Sequence, residues 1–143
     1  MVKHRVYVGI DTGVNTGYAV YDNHRKEWLT IGTIKIHTAL FEVKKLATVF
    51  GTQNVKVFVE DARKARFGRN TEADKAKLKG AGSIGRDAKI WEDFLTDEGI
   101  EFVLLRPNKG ITKLKADYFQ KLTGITQRLS EHARDAVMLI FNR

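Results

Sequence analysis

The sequence predicts an α/β domain in which a mixed five-stranded sheet carries helices on both faces. Three apolar, β-branched segments at the start of the chain are separated by turn residues, which is typical of antiparallel hairpins. Segments with helical periodicity then alternate with two further strand-like segments, as in strands joined by helical connections. No linker, internal repeat or low-complexity tract interrupts this pattern, so we expect a single domain over residues 1–143.

The element boundaries follow from periodicity and turn residues. Turn segments at 12–15 and 23–26 separate the first three strands and predict two hairpins. Leu40 and Val43 recur at helical spacing before Gly51, which ends the first helix. The predicted strands are Arg5–Ile10, Gly17–Asp22, Trp28–Ile36, Val55–Val59 and Glu101–Leu105, and the predicted helices are about Ala39–Phe50, Thr71–Thr96, Thr112–Leu122 and Ser130–Phe141.

The composition indicates a basic protein with an anionic partner. Lysine and arginine number 25 against 17 acidic residues, and the formal charge of +8 favours a polyanion through phosphate contacts and counterion release. The absence of cysteine excludes a disulfide framework, a thiol nucleophile and a thiolate zinc site. No apolar stretch approaches the roughly 18 residues of a membrane span, and no long apolar signal segment is evident. We therefore expect a soluble, cytoplasmic protein with no membrane partner.

Four residues in three fragments are candidate metal ligands. Asp11 and Glu60 each follow an apolar, β-branched run, so both are expected at the carboxyl ends of buried strands. His132 and Asp135 are three residues apart in an apolar-periodic segment, which puts them on one helix face. Mg²⁺ and Mn²⁺ prefer oxygen ligands, and two such ions can clamp both reacting oxygens of a phosphodiester. Each fragment alone is more typical of a capped turn or a solvated helix face, but together they predict a divalent-metal site for cutting nucleic acid.

Two acidic residues that adjoin these ligands are expected to stand outside the site. Glu131 is one residue from His132 and should point about 100° away around the helix. Asp61 follows Glu60 and would lie on the opposite side of a continuing strand. A solvated role is therefore expected for both.

Four segments carry a resemblance to a known family. Gly9–Val20 combines an aspartate, a tight glycine turn and a second strand that begins Gly-Tyr, and Phe58–Glu60 ends a strand with an acid. Gly80–Gly85 is rich in small residues, and Ser130–Ala136 has two ligand-type residues three apart before an alanine. Together they resemble the RuvC family of Holliday junction resolvases, which implies a ribonuclease H-like fold. Many members have aspartate at the position of His132, and histidine somewhat favours Mn²⁺, so the metal preference stays open.

The activity that the resemblance implies is the resolution of Holliday junctions and other branched DNA. Two Mg²⁺ or Mn²⁺ ions would activate a water for in-line attack and leave nicks with 5′-phosphate ends. Paired nicks in opposed strands imply a homodimer with two identical sites. The family also has a lysine near the scissile phosphate, for which Lys109, Lys113 and Lys115 are not ranked. The implied catalytic residues are Asp11, Glu60, His132, Asp135 and Lys115, of which the first four are the metal ligands.

The basic segment at 61–70 corresponds to a loop that enters the junction in the family. Its cations are expected to contact phosphates, and Phe67 to stack on or between bases. A solvated loop whose phenylalanine returns to the core would have the same composition. The predicted DNA-binding residues are Arg63, Lys64, Arg66, Phe67, Arg69, Lys109, Lys113 and Lys115.

Other classes of protein share parts of this pattern. A YqgF-type nuclease acting on ribosomal RNA has a similar first motif, but the basic-aromatic loop and the Gly-Tyr strand start favour the RuvC family. A catalytically silent junction-binding module would not need the complete ligand set. An actin-like ATPase opens with a similar hairpin but needs two lobes, where 143 residues supply one, so no organic cofactor is expected.

The sequence does not determine the dimer interface. The apolar stripe of the long helix is one candidate, but it suits packing on the sheet equally well. Its residues are Ala81, Ile84, Ala88, Trp91 and Leu95.

Overall fold

Five strands form one sheet at the centre of the molecule. The structure is a computed structural model that describes residues 3–64, 72–108, 110 and 112–143, and only the backbone of residues 72–84. The strands are β1 (Val6–Asp11), β2 (Asn15–Asp22), β3 (Glu27–Lys35), β4 (Val55–Glu60) and β5 (Glu101–Leu105).

The sheet is mixed, with the order β3-β2-β1-β4-β5. β2 is antiparallel to both β1 and β3, whereas β4 is parallel to both β1 and β5. Asp11 lies opposite Gly17 on β2, and Ile10 lies opposite Val59 on β4. The carboxyl ends of β1 and β4 are therefore adjacent and level. The predicted mixed five-stranded sheet and its two hairpins are confirmed.

Helices connect and cover the strands. Ser130 begins the last helix as predicted, because its hydroxyl accepts a hydrogen bond from the Ala133 N–H and caps the first turn. Among the residues that the structure describes, no helix is long and apolar enough to cross a membrane. The helices are α1 (Ile36–Phe50), α2 (Glu72–Glu98), α3 (Ala116–Thr123) and α4 (Glu131–Ile140).

The predicted start of the third helix at Thr112 is wrong, since α3 begins at Ala116. Lys113 has a left-handed φ of +59°, a conformation that does not continue a right-handed helix. Its backbone N–H donates instead to Asp135 Oδ1, at 2.7 Å. Lys115 is extended and occupies the N-cap position. The segment before α3 is thus a loop held against α4.

Alternate residues of β1 face the two sides of the sheet. Val6, Val8 and Ile10 are fully buried in a core formed with α1 and α2. Tyr7 faces the other side and packs with Phe58 in a second core formed with α3 and α4. Helices on both faces of the sheet, as predicted, are confirmed.

The apolar stripe of α2 packs on the sheet where the structure describes its side chains. Ala88, Trp91 and Leu95 are fully buried within the chain, and Trp91 and Leu95 join the first core. The alternative in which these three residues contact a partner subunit is wrong, because they are already covered. Ala81 and Ile84 lie in the part of α2 whose side chains are outside the described residues.

Candidate metal centre

Asp11 and Glu60 end adjacent strands and face the side of the sheet that α4 covers. Ile10 pairs with Val59, so the next residues along the two parallel strands stand side by side. The hydroxyl of Thr12 donates to the Glu60 carbonyl oxygen at 3.1 Å and ties the two strand ends together. This local geometry brings two carboxylates from distant parts of the sequence to one edge of the sheet.

Helix α4 supplies the other two predicted ligands from one face. His132 Nδ1 lies 2.8 Å from Asp11 Oδ2, which is hydrogen-bonding distance. Asp135, one turn further along, is 3% exposed and accepts the Lys113 backbone N–H. Glu60 is within reach of the charges of Asp11 and Asp135, so the structure places these four side chains in one region at the strand ends.

Two glycines allow α4 to lie directly on the sheet. A Cβ atom at Gly9 would stand 2.1 Å from the Ala136 carbonyl oxygen. A Cβ atom at Gly17 would stand 2.0 Å from the His132 carbonyl oxygen. Both glycines are therefore required for the position of α4. This role was not predicted for the two glycines of the Gly9–Val20 motif, although glycine inside a strand often marks a close backbone approach.

The three carboxylates of the site share a partly dehydrated environment. Burial raises the pKa of Asp11 and of Asp135, and the charge of Asp135 adds to the effect on Asp11. Burial, followed by the charges of Asp11 and Asp135, raises the pKa of Glu60 to about 7. The hydrogen bond from His132 acts in the opposite direction on Asp11. Carboxylates this close together favour a bound cation, because a cation stabilises their ionised forms.

Among the candidate lysines that the structure describes, Lys113 lies beside these carboxylates. Its charge lowers the pKa of Asp11, Glu60 and Asp135, against the effect of burial. Its Nζ atom donates to Glu131 Oε1 at 3.2 Å, and this bond is the main cause of the raised pKa of Lys113. Lys113 therefore contacts the site through its backbone N–H, and its ammonium group lies at the edge of the site.

The other two candidate lysines are Lys115 and Lys109. The Lys115 side chain is exposed at the start of α3. Lys109 lies outside the described residues. Of the two candidate lysines that the structure describes, Lys113 is the one whose charge acts on Asp11, Glu60 and Asp135.

The donor set suits a hard divalent cation. Glu60 Oε2 is buried and has no hydrogen-bond partner among the residues that the structure describes, which is unfavourable for a carboxylate oxygen unless a cation or proton accompanies it. Three carboxylates with one imidazole match the ligand preferences of Mg²⁺ and Mn²⁺. In their present rotamers, no three acidic or histidine side chains of the described residues converge on one point.

The predicted DNA-binding loop is only partly described. Arg63 contacts Asp61 at 2.9 Å and Glu92 at 3.1 Å, so its guanidinium is already paired within the chain. Lys64 Nζ donates to the Leu104 carbonyl oxygen at 3.0 Å. Arg66, Phe67 and Arg69 lie outside the described residues. The structure thus gives Arg63 a structural contact that the charge pattern did not predict.

The two acids expected outside the site differ in their surroundings. Glu131 is exposed, as expected, and bonds to Lys113. Asp61 is 2% exposed and accepts hydrogen bonds from the backbone and side chain of Arg63. The expectation that Asp61 is solvated is therefore wrong, because it turns inward to pair with Arg63.

Comparison of the sequence with models of protein families and with curated proteins finds no match. The chemistry of the site therefore has to be inferred from its own residues.

Proposed function

We propose that this chain is a divalent-metal-dependent endonuclease with a ribonuclease H-like fold, similar to the RuvC resolvases, which cuts branched DNA in the cytoplasm. The observation that carries the proposal is the meeting of Asp11, Glu60 and Asp135, three carboxylates from separate elements whose pKa values are all raised. The central position of β1, which ends in Asp11, supports the same fold assignment. The basic composition supports a nucleic-acid substrate.

Asp11, Glu60, His132 and Asp135 would hold the metal in this proposal. A pair of Mg²⁺ or Mn²⁺ ions, when bound, would supply an activated water and stabilise the leaving 3′ oxygen. Asp135 is kept in place by the Lys113 N–H, and Asp11 is level with Glu60 through the strand pairing. Two strands and one helix would thus hold the metal ligands in place.

Lys113 would neutralise charge at the scissile phosphate. Its Nζ atom is bonded to the exposed carboxylate of Glu131, a contact that an incoming phosphate can replace at low energetic cost. The charge of Lys113 already reaches all three carboxylates of the site. This arrangement supports Lys113 in the role that the resemblance assigns to a lysine.

The four-way junction substrate and the homodimer rest on the resemblance of the motifs. Resolution of a two-fold symmetric junction requires matched nicks, which two copies of one site provide. The dimer would use surfaces other than Ala88, Trp91 and Leu95, since these are buried in the core.

Cleavage of a labelled synthetic four-way junction tests the proposal. Linear duplex and structured RNA serve as competing substrates, with Mg²⁺, Mn²⁺ or EDTA, and Asp11→Asn serves as the inactive control. We expect paired, metal-dependent nicks in opposed strands. The Asp11→Asn variant should make none. Cleavage of RNA alone would replace this proposal by ribosomal RNA processing, and tight junction binding without cutting would replace it by a silent binding module.

A further inference from the structure

A cavity of about 290 Å³ lies at the end of the sheet remote from the candidate metal centre. The turn between β2 and β3 and the end of α4 enclose it. Tyr21, in its wall, lies opposite Tyr7 on β1, whereas Asp11 lies opposite Gly17. Tyr7 and Asp11 are four residues apart along β1, which corresponds to about 13 Å of extended strand. The cavity is therefore distinct from the metal centre.

Aromatic rings form one side of this cavity. The Tyr21 and Trp28 rings contact each other edge to face, with centroids 4.8 Å apart at 66°. Both side chains also line the cavity, and both remain partly exposed. A partly exposed indole that lines a cavity and is held by a neighbouring ring is a suitable platform for stacking a planar base.

Cations line the same cavity, and no acidic side chain does so among the described residues. Lys26 is exposed in the turn before β3. Lys3 donates one N–H to the Arg143 backbone oxygen and keeps further donors, since an ammonium group has three. The Arg143 guanidinium is held over the Phe58 ring at 5.1 Å. Positive charge next to an aromatic platform favours an anion that carries a ring.

An amide group adds polar recognition at the cavity wall. Asn23 is 8% exposed, and its Nδ2 donates to the His4 carbonyl oxygen at 2.9 Å. This bond directs the amide and leaves Oδ1 as an acceptor on a side chain that lines the cavity. A fixed acceptor suits an amino group at the edge of a base.

We propose that this cavity binds one nucleotide, with the base against Trp28 and the phosphate between Lys26 and Lys3. The volume lies at the lower end of the range of small-molecule sites, about 300 to 1,000 Å³, which suits one nucleotide rather than a longer segment. The nucleotide is either free or the phosphorylated end of a strand. The site is independent of the cutting activity proposed above.

Nuclear magnetic resonance of the full-length Asp11→Asn protein in EDTA tests the site without cleavage of the ligand. The chain has two tryptophans, and Trp91 is fully buried in the other core, so its indole signal is an internal control. The probes are AMP, adenosine, inorganic phosphate and a 5′-phosphorylated tetranucleotide. AMP is expected to shift the Trp28 indole signal and the amides of Tyr21 and Asn23 but not the Trp91 signal.

Adenosine and phosphate alone are each expected to bind about tenfold more weakly than AMP. Tighter binding of the tetranucleotide than of AMP would support the site and identify a strand end as the source. Equal or weaker binding of the tetranucleotide would support it with a free nucleotide as the source. The proposal is overturned if millimolar AMP leaves the Trp28 signal unmoved, or if phosphate alone binds as tightly as AMP.

Matched variants assign the effect to the cavity. Trp28→Leu should weaken AMP binding, followed at the Asn23 amide, by about tenfold. Lys26→Gln, at an exposed position that leaves the fold intact, should weaken it about threefold. Lys45→Gln removes an equally exposed charge from α1 on the other face and should have no effect. Wild-type affinity in both cavity variants would overturn the proposal.

Discussion

His132 Nδ1 and Asp11 Oδ2 lie 2.8 Å apart although 121 residues separate them in the sequence. The contact exists because Gly17, opposite Asp11 on the neighbouring strand, leaves room for the backbone of α4 at His132. Gly17, which has no side chain, thus determines where α4 places the candidate ligand His132.

Gly17→Ala should destabilise the protein by about 2 to 3 kcal/mol, because the new methyl group would overlap the His132 carbonyl oxygen and force α4 away from the sheet. Gly32→Ala on β3 is the matched control, since a Cβ atom there meets no atom within 4 Å. We expect the control to change stability by less than about 0.5 kcal/mol. Urea unfolding measures both, and equal stabilities would show that α4 does not depend on Gly17.

The metal-free protein should lose stability as the pH rises from about 4.3, the ordinary pKa of glutamate, to about 7. Glu60 has a raised pKa in the folded state, so the folded protein binds more protons than the unfolded chain in this window. Asp11 and Asp135, whose pKa values are also raised, act with the same sign. Urea unfolding in EDTA between pH 4 and pH 8 measures the slope.

Glu60→Gln is the control for this pH dependence. It should flatten the slope by removing the titrating group, and it should abolish cutting while leaving junction binding intact. Added Mg²⁺ or Mn²⁺ should stabilise the wild-type protein most at pH 8, where the carboxylates are ionised. A variant with the wild-type slope would show that Glu60 ionises normally, and persistent cutting by a pure variant would remove Glu60 from the site.

The sheet and the strand-end acids were predictable from sequence because they depend on local patterns. Alternating β-branched residues place Asp11 and Glu60 at strand ends, and the spacing of His132 and Asp135 places them on one helix face. Parallel pairing of the two strands then makes the carboxylates neighbours.

Features that depend on contacts between distant segments could not be predicted in the same way. Periodicity predicts a helix through Lys113, but the hydrogen bond to Asp135 holds that residue in a left-handed conformation. Charge pattern predicts Arg63 as a DNA contact, but it does not reveal the pairing with Glu92, which is 29 residues away on α2. Tertiary contacts override local preference at both places.

Lys113→Gln should reduce junction cleavage by about 100-fold, because it removes a positive charge that acts on all three carboxylates but keeps the backbone N–H that holds Asp135. Lys115→Gln is the matched control, since its side chain is exposed at the start of α3. Single-turnover cleavage rates distinguish the two variants, and junction binding is measured for both. A larger loss in Lys115→Gln would assign the catalytic role to Lys115 instead.

His132→Asp should retain cutting and shift the metal preference. A carboxylate is a harder ligand than imidazole, so the nicking rate in Mg²⁺ should rise several-fold relative to the rate in Mn²⁺. In EDTA the same variant should be less stable than the wild-type protein, because a hydrogen bond to Asp11 is replaced by repulsion between two carboxylates. His24→Asp, in the exposed turn after β2, makes the same chemical change away from the site and controls for net charge. An unchanged ratio of the two rates, together with unchanged stability in EDTA, would place His132 outside the metal centre and leave the three carboxylates as its ligands.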